Sequence, residues 1–315
     1  MITSLTRYLL RFILSVAVAS IAIFALLRII PGDPAEVALG VNATPELLAQ
    51  KKAQLGTDRP LMVQYLEWFT GLFRGEFGTS LTTGKDITPV VIDRMQVSMI
   101  VVIASMALAL AIAVPLGTWA AARARHLDGV LLTGLSQIGV AVPSFLAAVL
   151  LVSVFAVHLG WLPANGWVPP SYSPWGFVSR LILPVVALAL VNGAILTRYV
   201  RSAVLDILSE DFMRTARAKG MTQWQALRAH GLRNASLPVA TVVGVNLASV
   251  VVGAVVIERV FVIPGMGTML LDAVTTRDLP TIQTIVMLQV FFILVVNFLV
   301  DLIYLGLDPR LRVQS

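Results

Sequence analysis

The chain has 315 residues, 57% of them hydrophobic and only 13% charged, with a mean hydropathy of +0.87 and a formal net charge of +6. Soluble domains carry about a quarter charged residues and need a polar surface at any size, so this composition argues against a soluble enzyme and for a membrane protein. The basic residues sit in short clusters between apolar runs rather than on one face, which argues against nucleic acid as a partner, and the absence of Cys removes disulfide, thiol and Cys-ligated metal chemistry.

In chain order, Arg7 and Arg11 precede the run FILSVAVASIAIFALL. Its apolar length, from about 12 to 30, exceeds the roughly 7–15 residues of a signal-peptide core, and PGDP rather than a small-x-small cleavage site follows. It reads as a retained first span. Residues 31–96 come next and are expected to fold as a small cap. In TPELLAQKKAQLG, Thr44 is an N-cap candidate, Pro45 suits the first helical position and Gly56 marks the far end. LMVQYLEWFTGLF then spaces its apolar and aromatic residues like an amphipathic helix. GTSLTTGKD (Gly78–Asp86) superficially suggests a phosphate-binding loop. However, five residues rather than four separate its glycines, and Asp86 rather than Ser or Thr follows Lys85.

A span needs about 20 mostly apolar residues, and six stretches qualify: roughly 9–30, 97–122, 130–158, 181–200, 237–258 and 283–307. The fold class expected is therefore all-α, with six transmembrane helices. The third stretch is long enough to tilt or break, and Pro143 gives a reason for a break. The expected organisation is an N-terminus and first span over 1–30, an extracytoplasmic cap over 31–96, a permeation core over 97–307 and a tail over 308–315. Lys and Arg set the orientation. With the N-terminus inside, the inner segments hold Arg7, Arg11, Arg123, Arg125, Arg198, Arg201, Arg214, Arg217, Lys219, Arg228, Arg233, Arg310 and Arg312. The short outer segments hold only Arg180, Arg259 and Arg277, while 31–96 is long enough to cross regardless of charge. Both termini are thus expected in the cytoplasm of a cell-membrane protein.

Polar groups at membrane depth are costly and are functional candidates by default. Asn192, Asn246 and Glu258 are candidates for a translocation path or gate, and Asn297 and Asp301 share a helix face at i, i+4 spacing. Interhelical hydrogen bonding or interface anchoring is the alternative, and it is the preferred reading for Asn297 and Asp301, which sit toward the cytoplasmic end. PGMG (Pro264–Gly267), with Glu258, is expected to shape an outer mouth through glycine turns. His126, His158 and His230 lie in separate segments without HExxH spacing, and no G-x-S-x-G stretch occurs, so neither a zinc protease nor a serine hydrolase is supported.

The longest inner segment, about 201–236, contains RTARAKGMTQWQALRAHGLRNASLP (Arg214–Pro238). Phe212, Ala216, Trp224 and Leu227 punctuate a basic helical pattern, and Gly220 interrupts it as a turn between two short helices would. Such a knob can insert into a groove on another protein, whereas a loop lying on anionic lipid would need only the charges. The order of residues resembles the cytoplasmic loop of ABC importer membrane subunits. It is closest in pattern to the dipeptide, oligopeptide and nickel permease family. Arg214-Thr215-Ala216 stands where the general pattern has an acidic-Ala-Ala triplet, while RTARAKG is usual for the peptide branch. LLRIIPGDPA, LGTDRPLMVQYLEWF, GEFGTSL, FAVHLGWLPANG, ERVFVIPGMGTMLLDAV, RDLP and NFLVDLIYLGLDPRLR extend the resemblance nearly colinearly over about 300 residues.

The resemblance implies a non-catalytic permease subunit of the type I ABC importer fold. It would pair with a homologous second permease as a heterodimer, dock two ATPase subunits that use ATP and Mg, and receive solute from an extracytoplasmic binding protein. The chain itself would bind no cofactor or metal. Arg214, Thr215, Ala216, Arg217, Ala218, Lys219 and Gly220 would form the coupling helix and turn. His230, Leu232, Arg233 and Asn234 would hold the second helix against the membrane core. The solutes implied are dipeptides, longer peptides, glutathione-like compounds or nickel chelates. An ion-gradient-driven transporter or channel is the alternative, but no inverted repeat of broken spans or mid-span carboxylate supports it.

Overall fold

A computed structural model describes residues 2–29, 34–39 and 44–307. The stretch 31–33 of the PGDP motif and the tail 308–315, with Arg310 and Arg312, lie outside the described residues. The helices are α1 (Ile2–Ile29), α2 (Pro34–Leu39), α3 (Pro45–Leu55), α4 (Leu61–Arg74), α5 (Thr88–Ala122), α6 (Leu127–Ala141) and α7 (Ser144–Leu151), which continues as a π-helical stretch Val152–His158. They are followed by α8 (Pro174–Ser209), α9 (Asp211–Ala218), α10 (Gln223–Ala226) with a π-helical continuation Leu227–Gly231, α11 (Leu232–Val260), α12 (Met266–Thr275) and α13 (Leu279–Leu307). Among the described residues, β-pairing amounts to one isolated Thr79–Asp86 bridge.

Five helices contain stretches long and apolar enough to cross a bilayer: Leu5–Ile29, Thr88–Ala122, Pro174–Ser209, Pro238–Val260 and Leu279–Ile303. The pair Leu127–Ala141 and Ser144–His158 makes a sixth, bent by 99° at its break. The bend falls where the sequence places Pro143. Val142 before it is extended (φ −85°, ψ 119°), as a residue preceding proline must be when the helical region is sterically blocked.

The chain divides into two compact units. The first comprises Met1–Leu5, Met99–Ile263 and Val296–Ser315. Its axis is α8, whose buried residues Leu183, Ala187, Leu188, Asn192, Leu196, Val200 and Val204 recur at helical spacing. Against them lie α6, α7 and α11. Small residues allow this closeness, as they do wherever lipid supplies no hydrophobic drive between helices. At Gly117 of α5 a Cβ would sit 2.7 Å from Val200 Cβ and 2.8 Å from the Thr197 carbonyl oxygen, so only glycine fits against α8 there.

The second unit comprises Thr6–Ser98 and Pro264–Val295. The described residues of the 31–96 segment therefore fold with α1 from Thr6 onward and with the 264–295 stretch. Local signals shape it as expected. Thr44 Oγ1 accepts from Leu47 N–H at the start of α3, and Gly56 closes that helix with φ 67°. The aromatic face of α4 packs on α1. Tyr65 meets Phe24 edge-on at 5.5 Å between centroids, Trp68 lies 6.2 Å from the same ring, and Tyr65 OH hydrogen-bonds Ser20 Oγ at 2.9 Å. Val16, Ile23 and Met287 complete the buried cluster.

The Gly78–Asp86 loop is closed on itself. Ser80 N–H donates to the Lys85 carbonyl, Gly84 N–H to the Ser80 carbonyl and Ile87 N–H to the Gly78 carbonyl. Leu81 N–H donates to the buried carboxylate of Asp278, which also accepts from Thr281 Oγ1. The Ser80, Leu81, Thr83, Gly84, Lys85 and Ile87 amides are thus turned to partners within the protein. Thr88 N–H donates to Asp86 Oδ1 at 2.9 Å and holds this exposed carboxyl below its ordinary range.

One expectation is redrawn. The tight turn after α11 is made by Val262, with φ 52°, whereas Gly265 is extended. In PGMG, the glycines do not supply the left-handed backbone.

Candidate functional site

The segment between α8 and α11 folds as a compact knob. Glu210 is extended (φ −69°, ψ 149°), ending α8 and starting α9. Helix α9 is two-faced: Met213 is wholly buried and Ala216 nearly so, while Arg214, Thr215 and Arg217 face outward. Arg214 and Asp211 form an ion pair at 3.4 Å, but with side chains 74% and 95% exposed it adds little stability.

The turn ending α9 is built from main-chain bonds. Gly220 N–H donates to the Arg217 carbonyl at 2.9 Å, and Met221 N–H donates to the Ala216 carbonyl at 3.3 Å. These two bonds form a Schellman closure, which places Gly220 at φ 91°, a region that disfavours every L side chain. Two residues on, Thr222 starts α10 with a capping box. Its hydroxyl accepts from Gln225 N–H, and Gln225 Oε1 accepts from Thr222 N–H. Stop and start signals thus meet across one glycine.

The knob is bolted down from beneath. Met213, Ala216, Ala226 and Leu227 form one buried cluster with Ala121 of α5, Val200 and Val204 of α8, and Ala235 of α11. A brace comes from the α5–α6 junction. The Trp119 and Trp224 rings lie 5.8 Å apart, and Gln223 Nε2 donates to the Ala122 carbonyl at 3.4 Å. Trp119 is itself held by Asp128, whose Oδ2 accepts from its indole N–H at 3.0 Å and lies 2.6 Å from Arg123. Sequence patterning does not reveal Trp119, Asp128 or Gln223 as part of this site. Trp119 and Asp128 lie far along the chain from the knob, and none of the three carries a local motif.

A cleft of about 770 Å³ opens on the exposed side. Of the residues singled out from the sequence, Phe212, Thr215, Ala216, Lys219, His230, Arg233 and Asn234 line it, joined by Met221 and Ala229. Arg214, Arg217, Ala218 and Gly220 belong to the helix and turn beside it. The expectation that His230, Leu232, Arg233 and Asn234 all hold the second helix against the core applies only to Leu232. The π-helical stretch shifts the helical phase, so His230, Arg233 and Asn234 are exposed, while Leu227 and Ala235 take the packing positions.

Asn192, on α8, and Asn246, on α11, are buried and face each other. Asn246 Nδ2 donates to Asn192 Oδ1 at 3.2 Å, and Asn192 Nδ2 donates to the Leu188 carbonyl at 2.8 Å. Glu258 is 1% exposed near the far end of α11, and its carbonyl accepts from Ile263 N–H at 2.8 Å.

Comparison with known proteins decides the family. Residues 113–313 match the family described as "Binding-protein-dependent transport system inner membrane component", and residues 1–101 match the corresponding N-terminal family. The chain belongs to this family. A probable peptide ABC transporter permease protein of Sinorhizobium fredii is 38% identical to this permease over 311 residues, covering 97% of it and 99% of the relative. A putative peptide transport system permease protein of Brucella abortus is 38% identical over 299 residues, covering 94% of each chain. A glutathione transport system permease protein of Salmonella choleraesuis is 35% identical over 313 residues, covering 99% of each.

The crystal structure of an amino acid ABC transporter with histidines matches 69% of the permease and 93% of its own chain, at 17% identity and a TM-score of 0.50. That match bears on the fold alone. The permease is a non-catalytic, multi-pass component of the inner membrane in an ABC importer. ATPase and substrate-binding subunits are its partners, and nothing supports the gradient-driven alternative.

Proposed function

We propose that this permease passes short peptides or a related small solute across the membrane, and that the α9–Gly220–α10 knob couples it to an ATPase. The observation that carries the coupling role is the knob's construction. A Schellman stop and a capping-box start make it stiff, and its buried side is shared with α8 and α11. Movement imposed on it is therefore transmitted to both rods. Arg214 to Gly220 present the coupling helix and turn, and His230, Arg233 and Asn234 complete the cleft in which the ATPase surface engages. Peptides are the preferred solute class because relatives at 38% identity over nearly their full length are named for peptide transport.

In this reading both termini are cytoplasmic and the 31–96 cap faces outward. A homologous permease completes the pathway as a heterodimer. ATP and Mg are used by the ATPases, and this chain binds no cofactor. Asn192, Asn246 and Glu258 are the gate candidates. The Asn pair locks α8 to α11 in the state described, and its rearrangement would accompany opening.

The test is affinity purification from the native membrane in mild detergent, followed by reconstitution with whatever co-purifies. Recovery of a second permease and ATPases, with ATP-dependent peptide uptake, is the expected result. A stable chain that purifies alone and transports under an ion gradient would overturn the reading.

A further inference from the structure

The chain itself joins the coupling knob to α8 and α11. Helices α5 and α6 have no such link, since 101 residues separate Ala122 from Gln223. Their junction reaches the knob through side chains instead. The Trp119 ring lies 5.8 Å from that of Trp224, tilted by 44°, within the range of favourable aromatic pairs. Gln223 Nε2 donates to the Ala122 carbonyl beside it, and Ala121 enters the knob's buried cluster from beneath.

The junction is built to hold Trp119 in one direction. The indole N–H donates to Asp128 Oδ2 at 3.0 Å, and the same oxygen lies 2.6 Å from Arg123 Nε. The Arg123 guanidinium in turn sits over the Trp119 ring, 5.7 Å from its centroid. Main-chain bonds close the turn below: Arg123 N–H donates to the Trp119 carbonyl and His126 N–H to the Arg123 carbonyl. A Cβ at Gly129 would run into the Arg123 carbonyl, so α6 starts hard against the end of α5. On the knob's side, the Arg228 guanidinium lies 5.9 Å from the Trp224 ring.

Stability alone is a poor account of this arrangement. Trp119 is 44% exposed, and an ion pair as open as Arg123–Asp128 adds little. What the three side chains do is fix the direction of a ring that touches the knob. From the junction, α6 runs 15 residues to the break at Pro143, where the span bends by 99°. A rod held at one end and broken at the other pivots when the held end is pushed.

We propose that the Trp119–Trp224 contact is a third coupling route, by which displacement of the knob reaches α6, and that Asp128 is a positioning residue acting through Trp119. The route rests on the knob's coupling role in the proposed function. It extends the moving parts from α8 and α11 to the third span.

The test is the distance between spin labels, measured by electron paramagnetic resonance before and after trapping with ATP and vanadate. The chain contains no cysteine, so cysteines introduced at exposed positions are labelled uniquely before reassembly with the co-purified importer subunits. Leu131 on α6 with Tyr199 on α8 reports the new route, and Tyr199 with Val245 on α11 reports the rods joined to the knob. In the wild type both pairs are expected to shift. Trp119→Leu and Trp224→Leu are each expected to lower the ratio of shifted to unshifted α6 about fivefold, mid-range for substitutions along a coupling route. The double variant is expected to fall no further, because both changes break one contact. Asp128→Ala is expected to lower the ratio in the wild-type background but not in Trp119→Phe, which has no N–H to orient. A purely structural Asp128 would act alike in both. Melting temperatures are measured throughout, and Trp119→Met or Trp224→Met replaces a Leu variant that does not fold.

An α6 shift that ignores both tryptophans, or an Asp128→Ala effect that persists without the indole N–H, overturns the proposal. If the α8–α11 pair shifts and α6 does not, the brace fails and coupling through the knob stands. If neither pair shifts in the wild type, the coupling reading fails with it.

Discussion

The Asn246 side-chain amide of α11 donates to the Asn192 side-chain oxygen of α8 at 3.2 Å, and both residues are buried. The bond joins the two rods that leave the coupling knob. Interhelical hydrogen bonds inside membranes average about 0.6 kcal/mol, because the separated helices find other partners. When Asn246 is removed, Asn192 Nδ2 keeps its bond to the Leu188 carbonyl while its Oδ1 loses the bond it accepts in the pair, so each single variant is compared with the double one. A double-mutant cycle of Asn192→Leu and Asn246→Leu, read by unfolding in detergent, is expected to give a coupling of about 0.6 kcal/mol. Strict additivity would show that the bond contributes nothing. If the pair also marks a gate, Asn246→Leu is expected to raise ATP hydrolysis in the absence of substrate.

Gly220 is placed at φ 91° by the Schellman closure of α9, and a Cβ there would meet nothing within 4 Å. The penalty for another residue is therefore one of backbone conformation, about 1–2 kcal/mol for an L residue in the left-handed region. Gly220→Ala is expected to insert normally and reduce transport per ATP modestly. Gly220→Pro also fixes φ near about −65° and deletes the N–H that bonds Arg217, so the turn must be rebuilt. Near-complete loss of uptake with continuing ATP hydrolysis is the expected signature, measured in proteoliposomes. Normal uptake by the Pro variant would remove the knob from the coupling path.

How much of this was legible in the sequence depends on the range of the interaction involved. Thr44, Gly56, Pro143 and Gly220 act through their own backbone neighbourhood, and each does in the structure what its residue type demands. The spans follow from length and hydropathy alone. The Trp119–Trp224 brace and the Asn192–Asn246 bond join residues widely separated in sequence, and no spacing rule pairs them. The direction of His230, Arg233 and Asn234 depends on a π-helical phase shift at Leu227–Gly231, which a 3.6-residue repeat does not anticipate. At PGMG the glycine signal points to the wrong residue, since the context after α11 forces Val262 into the left-handed region.

Gly117 tests the packing of α5 on α8. A Cβ at this position would lie 2.7 Å from Val200 Cβ and 2.8 Å from the Thr197 carbonyl, and a backbone oxygen cannot move aside cheaply. Gly117→Ala is expected to cost about 1–3 kcal/mol, the usual range for overpacking. Gly134, where an added Cβ would meet nothing within 4 Å, is the matched control, and Gly134→Ala is expected to be neutral or mildly stabilising. Equal melting temperatures for the two variants would mean that α5 and α8 are less closely packed than these distances require.

Val262 offers the opposite sign. It is β-branched at φ 52° and 63% exposed, so its side chain contributes little packing to set against backbone strain. Its neighbours hold it there: Phe261 and Ile263 are each 1% exposed, and the Phe261 carbonyl accepts from Gly166 N–H at 2.8 Å. Val262→Gly removes the Cβ clash and keeps both anchors. The folded state gains about 1–2 kcal/mol from relief of strain. The greater freedom of glycine in the unfolded chain returns up to about 1 kcal/mol of that gain. The expected net effect is a small rise in melting temperature in detergent, with membrane insertion unchanged. A fall would mean that the valine's contacts within the chain, or the added freedom of glycine in the unfolded state, outweigh the strain.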